Sequence, residues 1–142
     1  MNLPKLVTLV AMFTFVGLGC TSPLKISLLN NAGEDFSVTM PKSKSKTMIE
    51  VKNLAVIEYP QSEQNWMVHL ITTKCDYEYQ LPKTLEHYDW KDSFESTPVI
   101  QVERDFQLYL LPRKTTSVAQ VSDYLALQLD GFPIGPKSKV CQ

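Results

Sequence analysis

Charge is almost missing from the first 24 residues, where Lys5 is the only charged side chain. Histidine is scarce throughout, with two in 142 residues, and cysteine barely commoner, with three. Positive charge is not in excess: the formal net charge is −1, which sets up no field to draw in a phosphate backbone. With no Lys/Arg stripe and no nucleic-acid motif, a nucleic-acid partner is not expected. The chain also lacks G-x-S-x-G, H-E-x-x-H, a P-loop, a glycine-rich dinucleotide turn and C-x-x-C. No catalytic residue, cofactor or metal site is therefore assigned, and a non-enzymatic protein is expected. A hydrophobic content of 44% and a charged content of 20% exclude a disordered chain, and the length suits one domain.

What is there begins with the N-terminus. From Leu6 to Leu18 the run "LVTLVAMFTFVGL" holds no charge and only two threonines. It is shorter than the roughly 20 apolar residues a spanning helix needs. A basic residue, an apolar core and small residues at its end describe a secretory signal instead. A buried helix of the domain would need a polar face, and this run has none.

Gly17 and Gly19 stand three and one residues before Cys20. The stretch "VGLGC" resembles the lipobox of bacterial lipoproteins, with Gly17 where that family usually has leucine. The resemblance covers the N-terminal stretch only. It implies that Cys20 carries a diacylglyceryl group and that residues 1–19 are removed. Residues 20–24 would then be a lipidated cysteine and short tether, and residues 25–142 a single domain. Thr21, in place of an aspartate after the cysteine, implies sorting to the outer membrane of a bacterial envelope, facing the periplasm. With Cys20 lipidated, Cys75 and Cys141 are left to pair in an oxidising compartment. Their bridge would close a loop of about 65 residues, worth roughly 4 kcal/mol in the chain-entropy picture.

Beyond Cys20 the chain reads as short strands. "KISLLN", "NAGED" and "FSVTM" read as a β-hairpin with a five-residue loop. "PKSKSK" (41–46) reads as a solvated loop, with contact to anionic headgroups as the minor alternative. Residues 47–60 read as two short strands broken near Lys52–Asn53, or one bent strand. Residues 65–82 read as one strand whose period of two turns Cys75, Tyr77 and Tyr79 into the core. Residues 98–112 read the same way, with Gln101, Glu103, Asp105 and Gln107 on the polar face and a bulge or bend near Arg104. Val118, Val121, Tyr124 and Leu125 fit one face of a short helix capped by Thr116 or Ser117, although "DYLALQL" also fits a strand. The Pro- and Gly-rich tail after Gly131 reads as irregular. Six or seven strands and at most one short helix near the C-terminus imply an all-β, antiparallel β-sandwich of immunoglobulin-like or transthyretin-like type.

Candidate contact residues are few. His69 lies in apolar "MVHLI" and reads as a core or interface histidine. His87 sits in "LEHYDWKD" beside Glu86, Asp89 and Asp92, without a second histidine at a ligand spacing. Tyr88, Trp90 and Phe94 surround it and make residues 85–94 a possible binding surface, while closure of one sandwich end by the same rings is the competing reading. The expectation is a membrane-anchored envelope lipoprotein, acting as a binding or assembly module for another envelope protein. A lipid-anchored hydrolase or metal-dependent enzyme using the His87 region, and an envelope inhibitor or exclusion factor, are the alternatives.

Overall fold

The computed structural model describes residues 24–41, 43–59, 66–86, 97–112, 115–128 and 131–142. Among these, nine strands form two sheets, so the domain is all-β. The first holds β1 (Leu24–Asn30), β4 (Leu54–Tyr59), β7 (Val99–Val102) and β8 (Leu108–Leu111), in the order β4-β1-β7-β8. The second holds β2 (Phe36–Thr39), β3 (Lys46–Ile49), β5 (Met67–Ile71), β6 (Cys75–Gln80) and β9 (Ser138–Cys141), in the order β3-β2-β5-β6-β9. Every strand pair is antiparallel except β1 with β7, which run parallel and make the first sheet mixed.

The inward residues of both sheets form one core. Ile26, Leu28, Ile57, Ile100, Val102, Leu108 and Leu110 meet Phe36, Val38, Ile49, Val68, Leu70, Tyr77 and Tyr79. Burial of such side chains is worth roughly 1.5–3 kcal/mol each and drives the pairing of the sheets. The outer face of the first sheet has a smaller core: Leu29, Val99 and Leu111 lie beneath Leu54, Val118, Ala119 and Tyr124. β1 is therefore buried on both faces, Ser27 and Leu29 included.

That double burial corrects the expected hairpin. β1 and β2 are not partners; the chain crosses from one sheet to the other through residues 31–35. Asn30 makes the crossing. Its amide donates to the carbonyls of Glu34 and Ile49, both at 2.9 Å, and its Oδ1 accepts from the Ala32 N–H. Gly33, at φ +86, completes the turn. The break at Lys52–Asn53 is present, with Lys52 at φ 65, and there too the chain changes sheets, from β3 to β4.

The strand read over 65–82 is a hairpin, β5 to β6. Thr72 folds it: its hydroxyl accepts from Cys75 N–H and Lys74 N–H and donates to the Cys75 carbonyl. The strand read over 98–112 is likewise a hairpin. The chain turns at Arg104–Asp105, where a bulge or bend was expected, closed by a hydrogen bond from Phe106 N–H to the Glu103 carbonyl and followed by Phe106 at φ 58. Gln101 is not solvent-facing but fully buried, because its side chain pairs with the Ala119 backbone N–H and C=O. The expected helix is a 3₁₀ segment, Val121–Leu127, with Gln120 rather than Thr116 or Ser117 at its start and Leu125 exposed. The tail is not wholly irregular, since Ser138–Cys141 adds a fifth strand to the second sheet.

Phe106 is also where the sheets are clamped together. Its ring stacks on Tyr77 with centroids 4.0 Å apart, and its carbonyl accepts from the Tyr79 hydroxyl at 2.8 Å. Burial, with smaller contributions from Tyr77 and Asp105, pushes the Tyr79 phenol well above its ordinary value. An unfolded tyrosine loses its proton near pH 10, whereas folded Tyr79 keeps its own. Its contribution to stability is thus complete below about pH 10 and falls as pH rises beyond it. Tyr79→Phe should flatten that alkaline decline in urea midpoints and cost about 1–2 kcal/mol at neutral pH, from the orphaned Phe106 carbonyl. An unchanged decline in the variant would refute the assignment.

Candidate functional site

Among the described residues no segment packs on the outer face of the second sheet, whereas Val118, Ala119 and Tyr124 cover that of the first. Alternation along its strands sends Phe36, Val38, Val68, Leu70, Tyr77 and Tyr79 inward, so the residues between them face out. Register sets these in rows. Met48, Ser37, Ile71, Asp76 and Val140 cross all five strands in one row, and Lys46, Thr39, His69, Glu78 and Ser138 in the next.

The first row is apolar at both ends: Met48 is 62% exposed and Val140 66%. Between them Ser37 is only 2% exposed, and its hydroxyl donates to the Met48 thioether at 3.6 Å. In the second row His69 Nε2 lies 3.6 Å from Glu78 Oε2, both side chains about a third exposed. His69 is thus a surface histidine with a carboxylate partner, on the open face and not in the core. Thr39 stands directly opposite it, but no hydrogen bond joins hydroxyl and imidazole among the described residues, so a nucleophile–base contact is not formed. The rows offer flexible thioether and aliphatic contacts beside a hydrogen-bonding and charged strip, a combination suited to contact with another macromolecule.

Between the sheets, Ile26, Leu28, Val68, Leu70 and Leu108 help line a cavity of about 10 Å³ with a wholly apolar wall. That is about one water's volume without polar partners, which makes it a packing gap. Among the described residues no three His, Cys, Asp or Glu side chains come together to hold a metal ion, and no helix is long and apolar enough to cross a membrane.

Of the residues singled out in the sequence, Cys75 and Cys141 are brought together. They face each other directly across β6 and β9 at disulfide distance, with Sγ–Sγ 2.03 Å and Cα–Cα 4.1 Å. Cys75 packs partly buried against the core while Cys141 is exposed, so the pair lies at the surface and not in the interior expected for it. Lys139, two residues before, lays its ammonium 5.3 Å from the centre of the Tyr77 ring. Cys20, His87, Tyr88, Trp90 and Phe94, with Asp89 and Asp92, lie outside the described residues. Met48, Ile71 and Val140 were not singled out by sequence reasoning. Their common face depends on the β3-β2-β5-β6-β9 order, which no local pattern announces.

Compared with protein-family models, with curated proteins and with solved structures, the chain matches none.

A peptide digest without reductant should contain Cys75 linked to Cys141. Reduction should lower the unfolding free energy by about 4 kcal/mol, the chain-entropy value for a loop of this length. Alkylation of both thiols in the untreated protein would disprove the bridge.

Proposed function

We propose that this chain is an envelope lipoprotein, anchored through Cys20 and acting as a non-enzymatic binding or assembly module for another envelope protein. The reading places it at the outer membrane of a bacterial cell, facing the periplasm. It takes the two sheets as a β-sandwich of immunoglobulin-like or transthyretin-like type, one in which β1 and β7 run parallel.

The observation that carries the reading is the spacing between Cys20 and the domain. An apolar, almost uncharged run ends in Gly-Leu-Gly-Cys, and β1 begins at Leu24, with only three residues between it and the cysteine. Four residue steps reach at most about 14 Å, so lipid on Cys20 would hold the domain against its bilayer. Multiple acyl chains make such an anchor stable where a single chain does not. The open face, with Met48 and Val140 at its ends, supports the binding half of the reading.

Cys20→Ser should release the protein from membranes and abolish incorporation of a fatty-acid probe. Retained labelling would overturn the anchor. The face has its own test: Met48→Asp with Val140→Asp should weaken crosslinking to the native membrane partner by tenfold or more, as loss of two contact anchors implies. Its unfolding free energy should fall by no more than about 1–3 kcal/mol, the cost of taking the Met48 thioether from the buried Ser37 hydroxyl, so the variant stays folded. Unchanged crosslinking would move the partner off this face.

A further inference from the structure

We infer that the end of the domain bearing Lys44, Lys46 and Lys83 rests on an anionic phospholipid surface. The inference rests on the anchored reading for its orientation and adds to it the chemistry of the surface contacted.

Topology puts these lysines at the anchor end. β1 runs from Leu24 to the turn at 31–35, and β2 runs back from that turn to Met40. β3 leaves from Lys46 and reaches the turn at 50–53, which is tied to the first by hydrogen bonds from Lys52 N–H to the Asn30 carbonyl and from Asn30 N–H to the Asn53 carbonyl. β6 starts at the 72–74 turn, next to the strand ends at Ser37 and Ile71, and delivers the chain to the 3₁₀ turn Lys83–Glu86. Leu24, the 43–45 loop and Lys83 therefore share one end. The turns at 31–35, 50–53, 72–74 and 103–107 share the other, where Asn31 Nδ2 donates to Glu103 Oε2.

Among the described residues the two ends differ in charge, with Glu86 in the same 3₁₀ turn as Lys83 the acid of the near end beside the Lys25–Glu58 pair. Lys44, Lys46 and Lys83 are exposed and have no ion-pair partner among the described residues, while nearby Lys25 is neutralised by Glu58 at 3.2 Å. The far end carries Glu34, Asp35, Glu50, Glu103 and Asp105 against Lys52, Lys74 and Arg104. Distance makes this difference count. A tether of at most about 14 Å keeps the lysine end close to the screening length of about 10 Å at 0.1 M salt. The acidic end stands a seven-residue strand further out, about 23 Å at 3.3 Å per residue, beyond the headgroup field. An anionic surface therefore attracts the near end and leaves the far end unaffected, which selects one orientation.

The full chain, reconstituted in vesicles of phosphatidylcholine alone or with phosphatidylglycerol, is labelled with a water-soluble acylating reagent and read lysine by lysine by mass spectrometry. Lys44, Lys46 and Lys83 should react about fivefold more slowly on the anionic vesicles. Lys52 and Lys74 should react equally on both, and 1 M salt, where the screening length is about 3 Å, should remove the difference. Equal rates at Lys44, Lys46 and Lys83 on the two vesicle types, or protection that extends equally to Lys52 and Lys74, would overturn the proposal. Fatty-acid labelling of Cys20 reports separately. Protection without Cys20 labelling keeps the charged end and removes the lipoprotein reading, and labelling without protection does the reverse.

Discussion

Asn30 ties together the ends of four strands, three through its side-chain amide and the fourth through its backbone. It terminates β1, holds the turn into β2 through Ala32 and Glu34, and binds the last carbonyl of β3 at Ile49. The Asn30 backbone bonds to Lys52 and Asn53 at the entry to β4. The residue is fully buried, so each of these groups would be orphaned without it, at about 1–3 kcal/mol apiece. Set against a net stability of 5–15 kcal/mol, that single amide is a large share of what keeps the two sheets in register. Both crossings between the sheets that involve β1 to β4 pass through it.

Two glutamines do for the outer layer what Asn30 does for the core. Gln101 forms a ladder-like pair with Ala119, and Gln128 does the same with Leu110, accepting from its N–H at 2.9 Å and donating to its carbonyl at 2.8 Å. With Ile134 bridged to Leu108, the outer edge of β8 is then occupied, which removes a row of groups otherwise open to strand addition. The segment from Val118 to Gln128 is thus fixed by hydrogen bonds to side chains more than by helical propensity. Its 3₁₀ form follows from that: Val118, Ala119 and Tyr124 must meet the Leu29–Val99–Leu111 patch while both amides stay paired.

What could be read from the sequence divides along the same line. Period-two alternation revealed the strands and sent Tyr77, Tyr79, Ile100 and Leu108 inward, as they are found. Alternation is silent on partners, so adjacent β1 and β2 read as a hairpin although they belong to different sheets. The reverse error at 65–82 and 98–112 came from turns made without Gly-Asn chemistry: a threonine hydroxyl folds one and a phenylalanine at positive φ the other. Gln101 looked exposed because its partner, the Ala119 backbone, is 18 residues away. The pairing of Cys75 with Cys141 was legible only through the lipobox resemblance, which sets Cys20 aside; three cysteines by count alone leave every pairing open. The open face on the second sheet was illegible, since five strands must be ordered before Met48 and Val140 fall in one row.

The open face and the charged end constrain each other. A domain standing on its Leu24 end, as the lysine asymmetry favours, has strands running away from the bilayer, and the rows of the second sheet then lie parallel to the membrane. The His69–Glu78 row is nearer the Leu24 end, and the Met48–Val140 row is nearer the opposite end, beside the disulfide-distance pair Cys75–Cys141. A macromolecule meeting this face in the proposed orientation would approach from the side and would meet the apolar row above the charged one. The cross-strand sulfur pair sits where such a contact needs rigidity, because β9 has four exposed residues and only one neighbouring strand to hold it. Without that link Val140 would be an apolar residue on a fraying edge; with it, Val140 is held in place on the face.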